Sequence, residues 1–300
     1  MHIGGASECD ELRAAVEAGG GEVGELDRAD AVVWLGGDPD ALPELPERVR
    51  WVQFGSAGVE HWLRSGRLDG DRAYASATGA YGLPVAEHAL ALMLAGAKGL
   101  HRFARARAWN PDGREQVHPL EGATVAIVGA GGIGRALIGL LEPFGAEVLA
   151  VTRRGRDVPG AARTLPAEAL AEVWPLAHHV VVAAPATGGT SRLIGAGELA
   201  AMRSDAWLVN VARGSLVDTE ALVAALRAGE IAGAALDVTD PEPLPVGHPL
   251  WELENALITP HVATPPAAER RHFAERVREN TRRFAAGEPL LGAIDLEAGY

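Results

Sequence analysis

Short apolar runs alternate along this chain with longer segments whose apolar positions recur at helical spacing. Residues 2–5 read as a first strand. Residues 8–18 read as a helix that stops at Gly19, Gly20 and Gly21, and residues 31–35 (AVVWL) as a buried strand ending in Gly36 and Gly37. Residues 39–46 predict a loop or short helix, and residues 49–54 another strand. Residues 83–109 predict one continuous helix with Pro84 near its first turn, followed by a polar stretch at 110–122 where one domain hands over to the next. The alternation then resumes, with strands at 125–128, 148–151, 179–184, 207–211, 234–238 and 256–259, and helices at 133–141, 193–202 and 218–226. Asp218 is the expected cap of the 218–226 helix and Gly229 its stop; a charged amphipathic helix closes the chain at 265–286. Strand–helix alternation of this kind predicts α/β units with parallel sheets, the second holding about six strands between residues 120 and 262.

The most informative stretch is TVAIVGAGGIGRALIGLLEPFGAEVLAVTRR, which begins at Thr124. Gly129, Gly131 and Gly134 form a G-x-G-x-x-G turn between a strand and a helix, with Gly132 and Ile133 inside it. Gly129 permits the tight turn, Gly131 lets backbone approach a pyrophosphate, and Gly134 lets helix pack closely on strand. The free N–H groups and positive dipole end of the helix then face the phosphates.

Composition narrows the classes. The chain has 300 residues, 48% hydrophobic and 22% charged, as a folded protein with a sizeable core requires. A formal net charge of −13 disfavours a nucleic-acid surface, and an anionic substrate would need locally placed cations. The single cysteine, Cys9, excludes an intrachain disulfide and reads as a small buried apolar residue. The opening residues show neither the basic nor the apolar segment of a secretion signal, and no apolar run is long enough to span a bilayer; a cytoplasmic protein without membrane contact is expected. No cluster has metal-ligand spacing, so no metal is expected.

Ligands of open parallel sheets bind beyond the carboxyl ends of the strands. That rule gathers Arg213 (after WLVNVA), Asp237 (in AALDV), Glu242 and His261 (in ITPH) on the cofactor side. Arg213 offers a planar fork for a carboxylate, His261 a proton near neutral pH, and Glu242 a partner for the imidazole. Together they suit reduction of a 2-keto acid. His88 and His101 read as packing or interface residues, His178 and His179 as surface or edge, and His248 as structural. Trp251 reads equally as a packing residue or as one that lines the site of its own or a neighbouring subunit, and Tyr81 is a candidate for touching substrate.

At these residues the sequence resembles the D-isomer-specific 2-hydroxyacid dehydrogenase family. The segments that carry the resemblance are WVQFGSAGVEHW, LPVAEHALALMLA, VAIVGAGGIGRAL, NVARGSLVDTEALVAAL, ALDVTDPEPLPVGHPLW and ITPHVA. The resemblance implies two Rossmann-like or flavodoxin-like α/β domains with parallel sheets and an active-site cleft between them. Residues 1–86 plus 264–300 would form the substrate-binding domain and residues 87–263 the NAD(P)-binding domain. It implies a homodimer through the helix after Leu83. It assigns Arg213 to substrate binding and carbonyl polarisation, His261 to acid–base work and Glu242 to support of the histidine. Backbone N–H groups at Ser56, Ala57 and Gly58 would meet the substrate carboxylate; Asp237 would bond the nicotinamide amide. Pro185 and Thr187 would flank the cofactor, with Val211 and Ala212 beside it.

Two departures from the family pattern sharpen the expectation. The strand after the glycine turn ends in Thr152, Arg153 and Arg154, where an acidic residue usually takes the ribose hydroxyls; two guanidiniums there favour the 2′-phosphate of NADP over NAD. The segment after His261, VATPPAAE, lacks the usual glycine. The expected activity is reduction of a small 2-keto acid to the D-2-hydroxy acid with NAD(P)H, of the glyoxylate or hydroxypyruvate reductase type. The alternative is a nucleotide-sensing, corepressor-like binding protein without turnover.

Overall fold

A computed structural model describes residues 1–5 and 10–297, so Cys9 lies outside the described residues. The chain divides into two compact units, Met1–Tyr81 with the chain from Pro265 onward, and Gly82–Thr264.

The first unit begins with β1 (His2–Gly4), α1 (Asp10–Ala18), β2 (Ala31–Trp34), β3 (Trp51–Phe54), α2 (Glu60–Ser65) and β4 (Ala73–Ala75). The four strands pair in parallel in the order β1-β2-β3-β4. Strands β2 and β3 are buried at every position, which is why they read as unbroken apolar runs. β4 was not visible as a strand, because three residues beside Arg72 are too few to show a period.

In the second unit follow α3 (Gly82–Ala97), α4 (Leu100–Phe103), β5 (Thr124–Val128), α5 (Gly132–Leu141), β6 (Glu147–Thr152), β7 (Arg163–Pro166) and β8 (His179–Val182). Then come α6 (Ala196–Ala201), β9 (Trp207–Asn210), α7 (Thr219–Ala228), β10 (Gly233–Leu236) and β11 (Ala256–Ile258). Finally, α8 (Pro266–Ala286) rejoins the first unit. There Asn280 donates to Gln53 Oε1 at 2.7 Å, and Arg276 donates to the Ser76 and Thr78 carbonyls at 2.9 Å, so buried polar groups on α8 are satisfied by the N-terminal sheet and its loops.

The second sheet is parallel throughout, in the order β11-β10-β9-β8-β5-β6-β7. Alternate side chains face opposite layers: Ala126 and Val128 join one core with Leu199 and Leu222, whereas Val125 and Ile127 join another with Ala89, Met93 and Leu137. The indole of Trp207 lies in a slot between two glycines. A Cβ would come within 2.6 Å of the ring at Gly96 and 2.5 Å at Gly233, so both positions require the missing side chain.

Three expectations need correction. The helix expected over 83–109 ends at Ala97, because Gly99 turns left-handed at φ 61°; a one-turn helix follows, and residues 106–110 are not helical. The sheet has seven strands rather than about six. The extra one, β7, is an edge strand with one buried residue, Leu165, and a terminal proline, a composition that reads as loop. The helix expected from 193 starts at Ala196, after Arg192 at φ 50° and the Gly195 cap.

Candidate active site

Strand register sets the site. Val128 pairs with Val151 and Val182, Val182 with Asn210, Asn210 with Leu236, and Leu236 with Ile258. The carboxyl ends of six neighbouring strands are therefore level. Gly129, Thr152, Ala183, Val211, Asp237 and Thr259 each stand one residue beyond that line. The direction of winding changes at β5, whose neighbours are β6 and β8, and the glycine turn leaves the sheet at this switch point.

Each glycine of the turn has a separate structural reason. Gly129 sits at φ 97°, and a Cβ there would be 2.5 Å from Ala184 backbone. A Cβ at Gly134 would meet the Gly129 carbonyl at 2.8 Å, so helix and strand touch through it. Gly131 faces open space and caps α5, which begins at Gly132 and continues with Ile133. Space before the first turn of a helix, with the helix amides behind it, is the shape a pyrophosphate takes. Beside it, Thr152 Oγ1 is buried without a hydrogen-bond partner, and Arg153 and Arg154 are exposed at the end of β6. A buried hydroxyl at this strand end, followed in the chain by two exposed arginines, fits a ribose and its phosphate. After β8, Thr190 organises the loop by donating to the Pro185 carbonyl at 2.7 Å and accepting the Thr187 amide at 2.8 Å.

The Arg213 loop is shaped by Asn210, a buried amide at the end of β9. Its Nδ2 donates to the Arg213 carbonyl at 2.8 Å, and its Oδ1 accepts the Ala212 amide at 3.1 Å. The Val211 amide continues the sheet pattern to Val182 O at 3.3 Å, and the Arg213 guanidinium donates to Ala212 O at 2.7 Å. Gly214 brings this loop against the next: a Cβ there would lie 2.0 Å from Thr239 C and O. Thr219 Oγ1 donates to Asp240 O at 2.7 Å across the same junction.

His261 and Glu242 are brought together. The imidazole Nδ1 lies 2.6 Å from Glu242 Oε1, with the two side chains 50% and 41% exposed, so this is an accessible pair rather than a buried ion bridge. With its proton on Nδ1 held by the carboxylate, the ring has Nε2 as its second nitrogen for proton exchange. The Thr239 amide approaches Glu242 Oε2 at 3.5 Å.

His261 has φ 51°, a conformation a non-glycine residue keeps only when its surroundings enforce it. Asp237 enforces it. Its carbonyl accepts the His261 amide at 2.8 Å, its Oδ1 the Val262 amide at 3.0 Å, and its Oδ2 the Ala263 amide at 3.2 Å. Oδ1 also accepts Thr259 Oγ1 at 2.6 Å and lies 3.2 Å from His88 Nε2. Burial alone pushes the Asp237 carboxyl up, but hydrogen bonds from His88, Thr259 and the Val262 amide outweigh it and hold it at about 2.

Sequence reasoning did not nominate Asn210, Thr190, Thr259 or His88, which the structure places against Arg213, Pro185 and Asp237. A polar residue inside an apolar run, as in WLVN, was the available signal for Asn210; a histidine on a helix gives none. Three other histidines divide. His178 accepts the Thr124 amide on Nδ1 at 3.0 Å and His179 is buried at the start of the interior strand β8, both at the amino ends of the strands, so neither is a surface residue free of the fold. His248 caps a short turn by accepting the Leu250 amide at 3.3 Å, and Trp251 is half-exposed with its indole N–H on Pro245 O at 3.0 Å.

In the first unit, Ser56 Oγ donates to Gly58 O at 2.9 Å, Thr78 Oγ1 to Ala57 O at 3.0 Å, and the Ala77 amide to Ser56 O at 2.9 Å. Tyr81 OH donates to Gly55 O at 2.8 Å, and burial raises its pKa. The loop that carries Ser56, Ala57 and Gly58 is thus stitched to the one after β4. Among the described residues no group of three or more His, Cys, Asp or Glu is arranged to hold a metal ion. No described helix is long and apolar enough to cross a membrane.

Comparison with known proteins points to one family. Residues 89–263 match the sequence model of the D-isomer specific 2-hydroxyacid dehydrogenase NAD binding domain. A Corynebacterium melassecola protein from the proB 3′ region is 40% identical over 294 residues, covering 96% of this chain and 95% of its own. The glyoxylate reductase of Thermococcus gammatolerans is 38% identical over 215 residues, which spans 68% of this chain and 63% of that enzyme. Among solved structures, a D-isomer specific 2-hydroxyacid dehydrogenase from Xanthobacter autotrophicus Py2, in complex with NADPH and MES, superposes with a TM-score of 0.84 at 31% identity, covering 100% of this chain and 98% of that one. A glycine turn at the switch point, level strand ends bearing Arg213, Asp237 and His261, and these matches have one reading: the chain belongs to the D-isomer specific 2-hydroxyacid dehydrogenase family.

Proposed function

We propose that this dehydrogenase reduces a small 2-keto acid to the D-2-hydroxy acid and prefers NADPH to NADH. The observation that carries the proposal is the Glu242–His261 pair at 2.6 Å on the carboxyl edge of the sheet. Arg213 holds the substrate carboxylate in its planar fork and polarises the carbonyl. His261 delivers a proton from Nε2 to the keto oxygen, while Glu242 on Nδ1 fixes the ring. The backbone amides of Ser56, Ala57 and Gly58 take part in holding the acid.

The cofactor would be held by Gly129, Gly131, Gly132, Ile133 and Gly134 at its pyrophosphate, and by Thr152, Arg153 and Arg154 at the ribose and 2′-phosphate. Pro185, Thr187, Val211 and Ala212 would line the approach to its nicotinamide, and Asp237 would bond the carboxamide. When bound, it supplies the hydride. The NADPH complex of the Xanthobacter relative supports the cofactor, and the glyoxylate reductase relatives support the substrate class. A second copy of the chain pairing through α3 belongs to the same proposal.

The test is a panel of 2-keto acids, glyoxylate and hydroxypyruvate included, assayed with NADPH and with NADH. Turnover of a small keto acid with the higher kcat/KM for NADPH is expected. Oxidation of neither nucleotide with any keto acid would overturn it.

A further inference from the structure

We infer that His88 is a positioning residue for His261, acting through Asp237 and Thr259; the catalytic role of His261 itself rests on the function proposed above. His88 lies in α3, a helix that packs on β9 and β10, and its ring reaches the end of the sheet from behind. Its Nε2 is 3.0 Å from Thr259 Oγ1 and 3.2 Å from Asp237 Oδ1. Thr259 Oγ1 donates its own proton to Asp237 Oδ1 at 2.6 Å, so its lone pair is open to the proton on His88 Nε2. The chain of donors therefore runs from His88 to Thr259 to Asp237 and ends on the carboxylate that anchors the amides of Val262 and Ala263.

A carboxylate as buried as Asp237, with its side chain 1% exposed, must be satisfied on both oxygens. Thr259, Val262 and Ala263 all belong to the turn that carries His261. His88 comes from a different element and ties that turn to a fixed helix. Without it the Thr259–Asp237 pair keeps only partners that move with the turn, and the left-handed His261 backbone loses an outside brace. A small displacement of an acid group is enough to lower the rate of proton transfer, because that step depends steeply on geometry.

The variants His88→Phe, which keeps ring volume without the N–H, and His88→Gln, which restores a donor, separate positioning from packing. Amide hydrogen exchange on the protein alone is the first readout. His88→Phe should speed exchange at Val262 and Ala263 and leave the body of α3 protected, and His88→Gln should recover most of the protection. The second readout is kinetic, on whichever keto acid the wild type reduces best. His88→Phe should lower kcat roughly tenfold or more with KM for NADPH changed less than about twofold, and His88→Gln should return kcat to within about threefold of wild type. Unchanged exchange at Val262 and Ala263 in His88→Phe would overturn the inference, as would loss of protection throughout α3 that His88→Gln fails to restore. A wild type inactive on every keto acid would refute the proposed reaction, while the exchange measurement would still judge the brace.

Discussion

Asp237 receives the amide of His261 on its backbone carbonyl at 2.8 Å and the next two amides on its carboxylate, so one buried acid sets the turn that presents the imidazole. Replacing Asp237 by Asn keeps one acceptor oxygen and puts an N–H₂ where the other stood. An amide hydrogen then faces a donor, and a buried group left unsatisfied costs about 1–3 kcal/mol. Asp237→Asn should lower the melting temperature by several degrees and reduce kcat. Thermal melting and steady-state kinetics check both.

The Glu242 carboxylate touches no substrate in the proposed chemistry; it holds His261 Nδ1. Glu242→Gln preserves size and hydrogen bonding but removes the charge. We expect kcat to fall roughly 10- to 100-fold, a part of the 10²–10⁴ that a general acid contributes, with cofactor affinity unchanged. Fluorescence titration with NADPH beside kcat measurements separates the two.

Gly214 is where the Arg213 loop meets the Thr239–Asp240 backbone, with no room for a methyl group. Gly214→Ala places a Cβ against main-chain atoms that cannot swing away as a side chain would. Overpacking of this kind costs about 1–3 kcal/mol and sometimes more. The variant should melt at lower temperature and lose activity, because the loops of Arg213 and Glu242 must part to admit the atom.

Arg153 stands one residue beyond β6, next in the chain to Thr152, whose hydroxyl has no hydrogen-bond partner. Arg153→Asp replaces the cation proposed for the 2′-phosphate by an anion that would repel it and accept from ribose hydroxyls. The ratio of kcat/KM for NADPH over NADH should drop by about tenfold or more, the scale of one or two charge-assisted hydrogen bonds. An unchanged ratio would refute that role.

Acid stability should fall in two stages. Burial pushes the His179 imidazole down to about 4, so the folded chain stays unprotonated there while the unfolded chain takes a proton at its ordinary value near 6.5. Its neutral state gives no penalty above that value; stability is lost as pH drops from about 6.5 toward 4, by on the order of 3 kcal/mol. Asp237, held at about 2, contributes stability that is whole above an ordinary carboxylate value and is lost as pH falls through its folded value. Melting curves from pH 7 to 3 should show the first stage flattened in His179→Leu and retained in Asp237→Asn.

Much of the architecture was already present in local pattern. Buried strands such as AVVWL and VAIV, the glycine turn between strand and helix, and the amphipathic helix 265–286 depend on neighbours a few residues apart, and a sequence displays those directly. The polar residues Arg213, Glu242 and His261 could be nominated too, since each follows a recognisable strand. Elements that rely on a distant partner were invisible: β7 exists because β6 offers an edge to pair with, and the helix break at Gly99 reflects a left-handed backbone that helical spacing does not reveal. The brace around His261 belongs wholly to the tertiary structure. His88, Asp237 and Thr259 lie far apart in the chain, and only parallel register, which levels Leu236 with Ile258 and packs α3 behind them, makes them neighbours. Sequence alone chose which groups stand at the strand ends; the fold decided which of them hold one another, because hydrogen bonds of about 3 Å are set by strand pairing and burial rather than by distance along the chain.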